Sequence, residues 1–144
     1  MPRAHLPLRK RQLIAKRARG RCEYCRSPMA FATQSFSVEH ILPISRGGET
    51  NMDNLALACP GCNSHKYTKI EAIDPVDGAL TPLYNPRLQR WRNHFSWNED
   101  FTRILGLTPT GRATVNALQM NRLGVINMRQ VLFASGLHPP TDDE

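Results

Sequence analysis

Two pairs of cysteines with the spacing C-x-x-C constrain the fold of this chain more than any other feature of its sequence. Cys22 and Cys25 form one pair, and Cys59 and Cys62 form the other, with residues 26–58 between them. Each pair can direct two thiolates towards one point. Four thiolates, each with its sulfur about 2.3 Å from the ion, complete the tetrahedral shell of a zinc ion. Four protein ligands leave no open position for chemistry, so the pattern predicts a structural zinc site.

Disulfide bonding and thiol redox chemistry are the alternatives for these cysteines. The first residues contain no apolar h-region, which argues against secretion, and a reducing cytoplasm disfavours disulfides. Redox chemistry would explain one C-x-x-C pair but not two. The segment between the pairs is also too small to bury a sizeable core, and modules of that size commonly need a metal. We therefore expect a cytoplasmic protein with structural Zn²⁺.

Composition excludes several classes of protein. The 144 residues are 40% hydrophobic and 22% charged, which is typical of a globular chain. The longest apolar run, residues 55–59, is far shorter than the roughly 20 residues that cross a bilayer. We expect neither a membrane span nor a membrane partner. The sequence does not indicate an oligomeric state.

Positive charge is concentrated at the amino terminus. The net charge is +7, and residues 1–30 contain nine Lys and Arg against a single acid, Glu23. The pattern predicts a basic helix over 8–18 that contacts the rest of the protein through Leu13 and Ile14. Such a segment favours a polyanionic partner, although a merely solvated surface is the alternative. Five of its side chains are predicted to contact DNA phosphates: Arg9, Lys10, Arg11, Lys16 and Arg17.

The segment from the first cysteine pair to residue 70 reads as strand, loop, strand and helix. Residues 35–41 largely alternate polar and apolar side chains, which predicts a strand, and Gly47-Gly48 marks a loop. Residues 55–58 predict a second short strand. Pro60 suits the first turn of a helix that continues towards residue 69. This is a ββα arrangement held by the four cysteines.

Several landmarks in this segment resemble the motif of the HNH endonucleases in its zinc-stapled form. Thirteen residues separate His40 from Asn54, and eight separate Asn54 from Asn63. The resemblance covers about residues 10–70. The landmarks are Glu39-His40-Ile41-Leu42-Pro43, Gly47-Gly48, Asn54-Leu55, and Cys59-Pro60-Gly61-Cys62-Asn63 followed by Lys66.

The resemblance implies a metal-dependent endonuclease that hydrolyses DNA, with double-stranded DNA as the expected substrate. In that reading His40 is the general base, and Asn54 bonds loop backbone and holds His40 in line. Glu39 and Asn63 hold a catalytic Mg²⁺ or Mn²⁺. An unperturbed histidine with a pKa near 6.5 can accept a proton, and carboxylate and amide oxygens suit hard ions. The chain departs from the common pattern in having Asn63 for His and Glu39 for Asp.

Each candidate residue has a structural alternative. His40 can be a hydrogen-bonding strand residue, and Asn63 can be a helix cap. Adjacent strand residues point to opposite faces, so Glu39 reaches the same phosphate as His40 only if the strand twists or ends there. Lys66 shares a helix face with Asn63 and is predicted to contact a phosphate, with a solvated lysine as the alternative. His65 should face away from Asn63, since two residues are about 200° around a helix.

The predicted fold class is α+β: a ββα-metal core clipped by zinc, with a small carboxyl-terminal α/β extension. The predicted parts are a basic arm over 1–21, the core over 22–70 and the extension over 71–144. In the extension we expect a hairpin around 74–78, a short helix near 86–94, a strand over 101–107, and helices over 109–120 and 125–135. The alternative function is a catalytically inactive, zinc-stabilised nucleic-acid-binding module. A thiol redox protein is a weaker third class.

Overall fold

The computed structural model of the protein describes residues 6–141, and the outermost parts of the predicted arm and extension lie outside that range. The first helix, α1, spans Leu8–Arg17. Its Ile14 is buried against Leu55 and Leu57, whereas Leu13 is 50% exposed, so the prediction of a contact through both residues is wrong for Leu13. Ile14 is the buried side chain of this helix, and the basic side chains remain exposed.

A two-stranded antiparallel sheet and a short helix follow α1. Strand β1 spans Ser37–His40, β2 spans Leu55–Ala58, and α2 spans Pro60–Lys66. Glu39 pairs with Ala56, and His40 pairs with Leu55. Since side chains alternate along a strand, Leu55 and Leu57 face α1 while Ala56 and Ala58 face a second core. The ββα arrangement is confirmed, with a shorter first strand and a shorter helix than predicted.

Over its described residues, 71–141, the extension consists of two hairpins and three helices. The predicted turn at 74–78 joins two strands, and the predicted strand over 101–107 is shorter than expected. A strand that the sequence did not reveal, over residues 95–97, is its partner in the second hairpin. The elements are β3 (Glu71–Ile73), β4 (Leu80–Pro82), α3 (Trp91–His94), β5 (Phe95–Trp97), β6 (Ile104–Gly106), α4 (Pro109–Ala117) and α5 (Leu123–Ala134). No helix of the described residues is long and apolar enough to cross a bilayer.

The extension packs directly on the cysteine-containing core. One cluster of buried side chains contains all four cysteines together with Tyr84, Trp91 and Phe95. The indole Nε1 of Trp91 donates a hydrogen bond of 2.7 Å to the carbonyl oxygen of Tyr24. Trp91 and Phe95 are buried, and Trp97 packs against the same cluster. The predicted α+β class is confirmed, and the core and the extension share one hydrophobic interior.

Candidate active site and zinc cluster

The four cysteines meet in the interior. Their Sγ atoms all lie within 4.8 Å of one another, and all four residues are buried. The Sγ atoms of Cys25 and Cys59 are 3.6 Å apart. Four sulfurs at about 2.3 Å from a tetrahedral zinc would be separated by roughly 3.8 Å. The cluster therefore has the ligand set, the burial and the size of a structural zinc site.

Local backbone geometry brings each pair of thiols together. In the first turn, the amide of Arg26 donates to the carbonyl of Cys22, and Arg26 adopts a φ of 66°. The second pair spans the start of α2, where Cys59 is the N-cap residue and its Sγ accepts from the amide of Cys62 at 3.4 Å. The alternative in which Asn63 caps this helix is therefore wrong.

An arginine from the extension lies against the cluster. The guanidinium of Arg122 is 3.6 Å from Sγ of Cys59 and 3.9 Å from Sγ of Cys62. A Cβ atom at Gly61 would lie 2.5 Å from this guanidinium, so the absence of a side chain at Gly61 permits the approach. Four thiolates around a divalent ion carry a net charge of −2, which a guanidinium at this position offsets. The contact spans about 60 positions of sequence, so no local pattern indicated it.

His40 is the last residue of β1 and its ring is partly exposed. Its Nε2 lies 2.8 Å from the hydroxyl of Thr50, a residue that the sequence analysis did not select. Partial burial, and secondarily the positive charge of Lys66, lower the pKa of His40 below the ordinary histidine value. The imidazole is therefore neutral around pH 7, the protonation state that a general base needs.

Asn54 fixes the backbone of the loop that follows His40. Its Oδ1 accepts from the amide of Leu42 at 2.8 Å, and its Nδ2 donates to the carbonyls of Leu42 and Glu49 at 2.9 Å. Gly48 lies in the same loop, where a Cβ atom would fall 1.7 Å from the carbonyl oxygen of Leu42. The predicted bonds from Asn54 to loop backbone are present, and their effect on His40 stays a prediction.

Glu39 points away from His40, into the interior. It is only 6% exposed; one carboxylate oxygen accepts from the hydroxyl of Tyr24, and the other lies 3.1 Å from Nζ of Lys66. Burial raises the pKa of Glu39, and the charge of Lys66 and the bond from Tyr24 oppose that shift. Glu39 is buried, whereas His40, the next residue of β1, lines the groove. The prediction that Glu39 offers its carboxylate to a catalytic ion beside His40 is not met in this arrangement.

Lys66 is 2% exposed, so its ammonium group does not reach a phosphate. Besides Glu39, it donates to the carbonyl oxygen of Ile41 at 3.0 Å and lies 3.5 Å from that of His40. The prediction of a direct phosphate contact is corrected, because the ammonium group already has three oxygen neighbours. Lys66 instead ties α2 to the end of β1.

Asn63 is the predicted ion ligand whose side chain remains available. It is partly exposed and lies one turn before Lys66 on α2, while His65 is exposed elsewhere on the helix. An ion shared by Asn63 and Glu39 would have to displace the ammonium group of Lys66 from the carboxylate. The residues therefore do not fit a two-ligand catalytic ion as they are arranged.

A groove of about 670 Å³ runs between α1 and β1 and reaches His40 and Thr50. All five of the predicted phosphate-contacting side chains on α1 are exposed: Arg9, Lys10, Arg11, Lys16 and Arg17. Arg17 is used differently, because its guanidinium donates to the carbonyls of Met52 at 2.9 Å and Leu55 at 2.6 Å. Arg17 thus fastens α1 to the sheet, and its contact with a phosphate stays a prediction.

Comparison with known families agrees with this architecture. Residues 22–69 match the family model described as HNH endonuclease. The matched segment contains the four cysteines, β1, β2 and α2 together with the loop between His40 and Asn54. These residues form an HNH endonuclease domain, as the motif predicted. No curated protein matches the chain.

Proposed function

We propose that this protein is an endonuclease that hydrolyses phosphodiester bonds of DNA, with His40 as the general base. The observation that supports this most directly is the position of His40 within the HNH domain. Its ring lies at the end of a strand, in a groove open to solvent, and is hydrogen-bonded to Thr50. A histidine kept only for packing would not need this access to a groove beside a basic helix.

The hydrogen bond to Thr50 would give the two ring nitrogens of His40 different roles. When Nε2–H donates to the hydroxyl of Thr50, the neutral ring keeps its lone pair on Nδ1. Nδ1 would then accept the proton of the attacking water, and the lowered pKa of His40 keeps it ready to do so near neutral pH. Asn54 would act through the loop backbone, by limiting movement of the chain just after His40.

We further propose that cleavage depends on Mg²⁺ or Mn²⁺. A divalent ion supplies charge stabilisation to the phosphate and the leaving oxygen when it is bound. Asn63 offers an oxygen of the kind such ions prefer, whereas Glu39 would first have to leave Lys66. The basic face of α1 supports a DNA partner, and a cytoplasmic location remains part of the proposal.

The test is nicking of supercoiled plasmid by the purified protein, with Mg²⁺ or Mn²⁺ titrated in and with a chelator as the reference. His40→Ala should lower the rate of nicking strongly at every ion concentration while leaving zinc content and DNA affinity unchanged. Asn63→Ala should be partly restored by excess ion. Equal nicking by wild type and His40→Ala would contradict the proposal. DNA binding without nicking would favour the inactive binding module.

A further inference from the structure

The groove beside His40 has apolar side chains on both of its walls. Phe36, Val38 and His40 alternate along the chain and line one wall. The opposite wall is a single face of α1, formed by residues at helical spacing: Leu8, Arg11, Gln12 and Ala15. Leu55 and Leu57 also line the groove. Most of the surface around the candidate base is therefore hydrocarbon.

Two exposed apolar side chains, Leu8 and Met29, belong to this groove. Hydrocarbon cannot donate hydrogen bonds to phosphate, but it suits the flat faces of nucleobases. The phenyl ring of Phe36 is half-buried against both hydrophobic clusters, and its accessible part lines the groove as a stacking surface. Arg11 in the same groove, with Arg9 and Lys10 exposed beside it, supplies charge complementary to a phosphate backbone. The combination of apolar walls and a basic margin matches a nucleotide strand.

We infer that the groove between α1 and β1 binds unpaired nucleotides next to the bond that is cut, so that the substrate is single-stranded or gapped DNA. The inference rests on the proposed function and specifies its substrate. In an intact duplex the base faces are stacked on one another and cannot reach Phe36. A strand with unstacked bases can place one base on Phe36 and a phosphate further along the same strand near His40, since both side chains line the same wall.

The experiment measures binding without turnover, in a His40→Ala background, by fluorescence anisotropy. The probes are a single-stranded oligonucleotide, its perfect duplex and the same duplex with a short gap. We expect tighter binding of the single-stranded and gapped probes. Phe36→Ala should weaken those two by about 5- to 150-fold, the range for removal of one stacked base, and should leave duplex affinity unchanged.

Two further variants separate stacking from folding. Phe36→Leu keeps most of the packing volume but has no flat ring, so it should lower single-strand affinity while the melting temperature stays close to that of the parent. Phe31→Ala removes an exposed phenyl ring that does not line the groove, so it should change neither quantity. An equal decrease in affinity for all three probes with Phe36→Leu, or no decrease for any, would overturn the inference.

The assay also distinguishes other occupants of the groove. If deletion of residues 1–5 tightens single-strand binding while the Phe36 variants have no effect, the chain's own amino terminus covers the groove and the inference is wrong. A dimer that Phe36→Leu converts to monomer would assign the groove to a second copy and would equally refute the inference. Specific single-strand binding by a wild-type protein that cuts nothing would refute the nuclease proposal and leave the groove assignment standing.

Discussion

The carboxylate of Glu39 and the ammonium group of Lys66 lie 3.1 Å apart in the interior, where they join β1 to α2. The two residues belong to the HNH motif, and both were predicted to act at the surface on an ion or a phosphate. Both are almost completely buried, and the hydroxyl of Tyr24 completes the environment of the carboxylate. The pair positions the chain on either side of His40, since Lys66 also bonds the carbonyl of Ile41.

Removing one member of this pair should lower the free energy of unfolding more than replacing both members together. Lys66→Met leaves a buried carboxylate without its counter-charge, and we expect a decrease of about 3–5 kcal/mol in the free energy of unfolding. The double variant Glu39→Gln, Lys66→Met should be destabilised by less than the sum of the single variants. Urea denaturation measures the free energy of unfolding of the two single variants and of the double variant. Additive effects would show that the two side chains do not interact, and Lys69→Met is the matched control with an exposed lysine.

His40→Ala should lower the rate of cleavage by about 10²- to 10⁴-fold, the usual contribution of a general base. For the wild type, the rate should rise with pH through the pKa of His40 and then level off. Because that pKa is lowered, the plateau should begin below the pH expected for an ordinary histidine, whose pKa is about 6.5. His65→Ala, in an exposed residue of α2, should retain both the rate and the profile.

Neutralising Arg9, Lys10 and Arg11 to Gln should weaken binding to all DNA sequences alike, because interactions with phosphates carry no sequence information. The slope of log affinity against log salt should become shallower by about 0.9 for each duplex phosphate that is no longer neutralised. Arg92→Gln with Arg103→Gln removes two exposed charges outside this segment and serves as the comparison. An unchanged slope would identify the basic face of α1 as solvated surface.

Asp74 should make the protein sensitive to acid. Its carboxylate accepts from Nε of Arg112 at 3.0 Å and from Nη2 at 2.7 Å, joining the β3–β4 turn to α4. The bonds from Arg112 hold the pKa of Asp74 below its usual value. The stabilisation is therefore complete above about pH 3.9, the pKa in the unfolded chain, and disappears as the pH falls through the lower folded pKa.

The check is thermal melting as a function of pH. Asp74→Asn should melt at a lower temperature than the wild type near neutral pH, and the difference should shrink as acid protonates the native carboxylate. Asp53→Asn, in an exposed residue, should follow the wild type throughout. A constant difference between Asp74→Asn and the wild type across the whole range would contradict the prediction.

Local patterns in the sequence predicted the elements that carry the site, but not the partners of their side chains. Alternation and the positions of proline and glycine located β1, β2 and α2 to within a few residues. Strand β5 was not predicted, because its three residues, Phe95–Trp97, are too few to show a period of two. They also directly follow a helix. The burial and pairing of Glu39 and Lys66 could not be predicted, because they depend on contact between a strand and a helix that exists only in the folded chain.

The position of Arg122 against Cys59 and Cys62 leads to a fifth prediction, about zinc retention. Arg122→Gln removes the counter-charge of the thiolates, and partners of this kind are worth about 10- to 100-fold in metal affinity. Transfer of zinc to a competing chelator should therefore be faster than in the wild type. Arg103→Gln, an exposed arginine of the same extension, should release zinc at the wild-type rate.

The same contact bears on how mutations in this chain would be interpreted genetically. Arg122 lies more than fifty residues beyond the segment that defines the HNH domain, yet its guanidinium touches two of the four sulfurs. In a screen for inactive alleles, substitutions at Arg122 should group with those of the cysteines and be relieved by added zinc. A search restricted to residues 22–69 would miss them, and an excised copy of that segment would lack this protection of its metal.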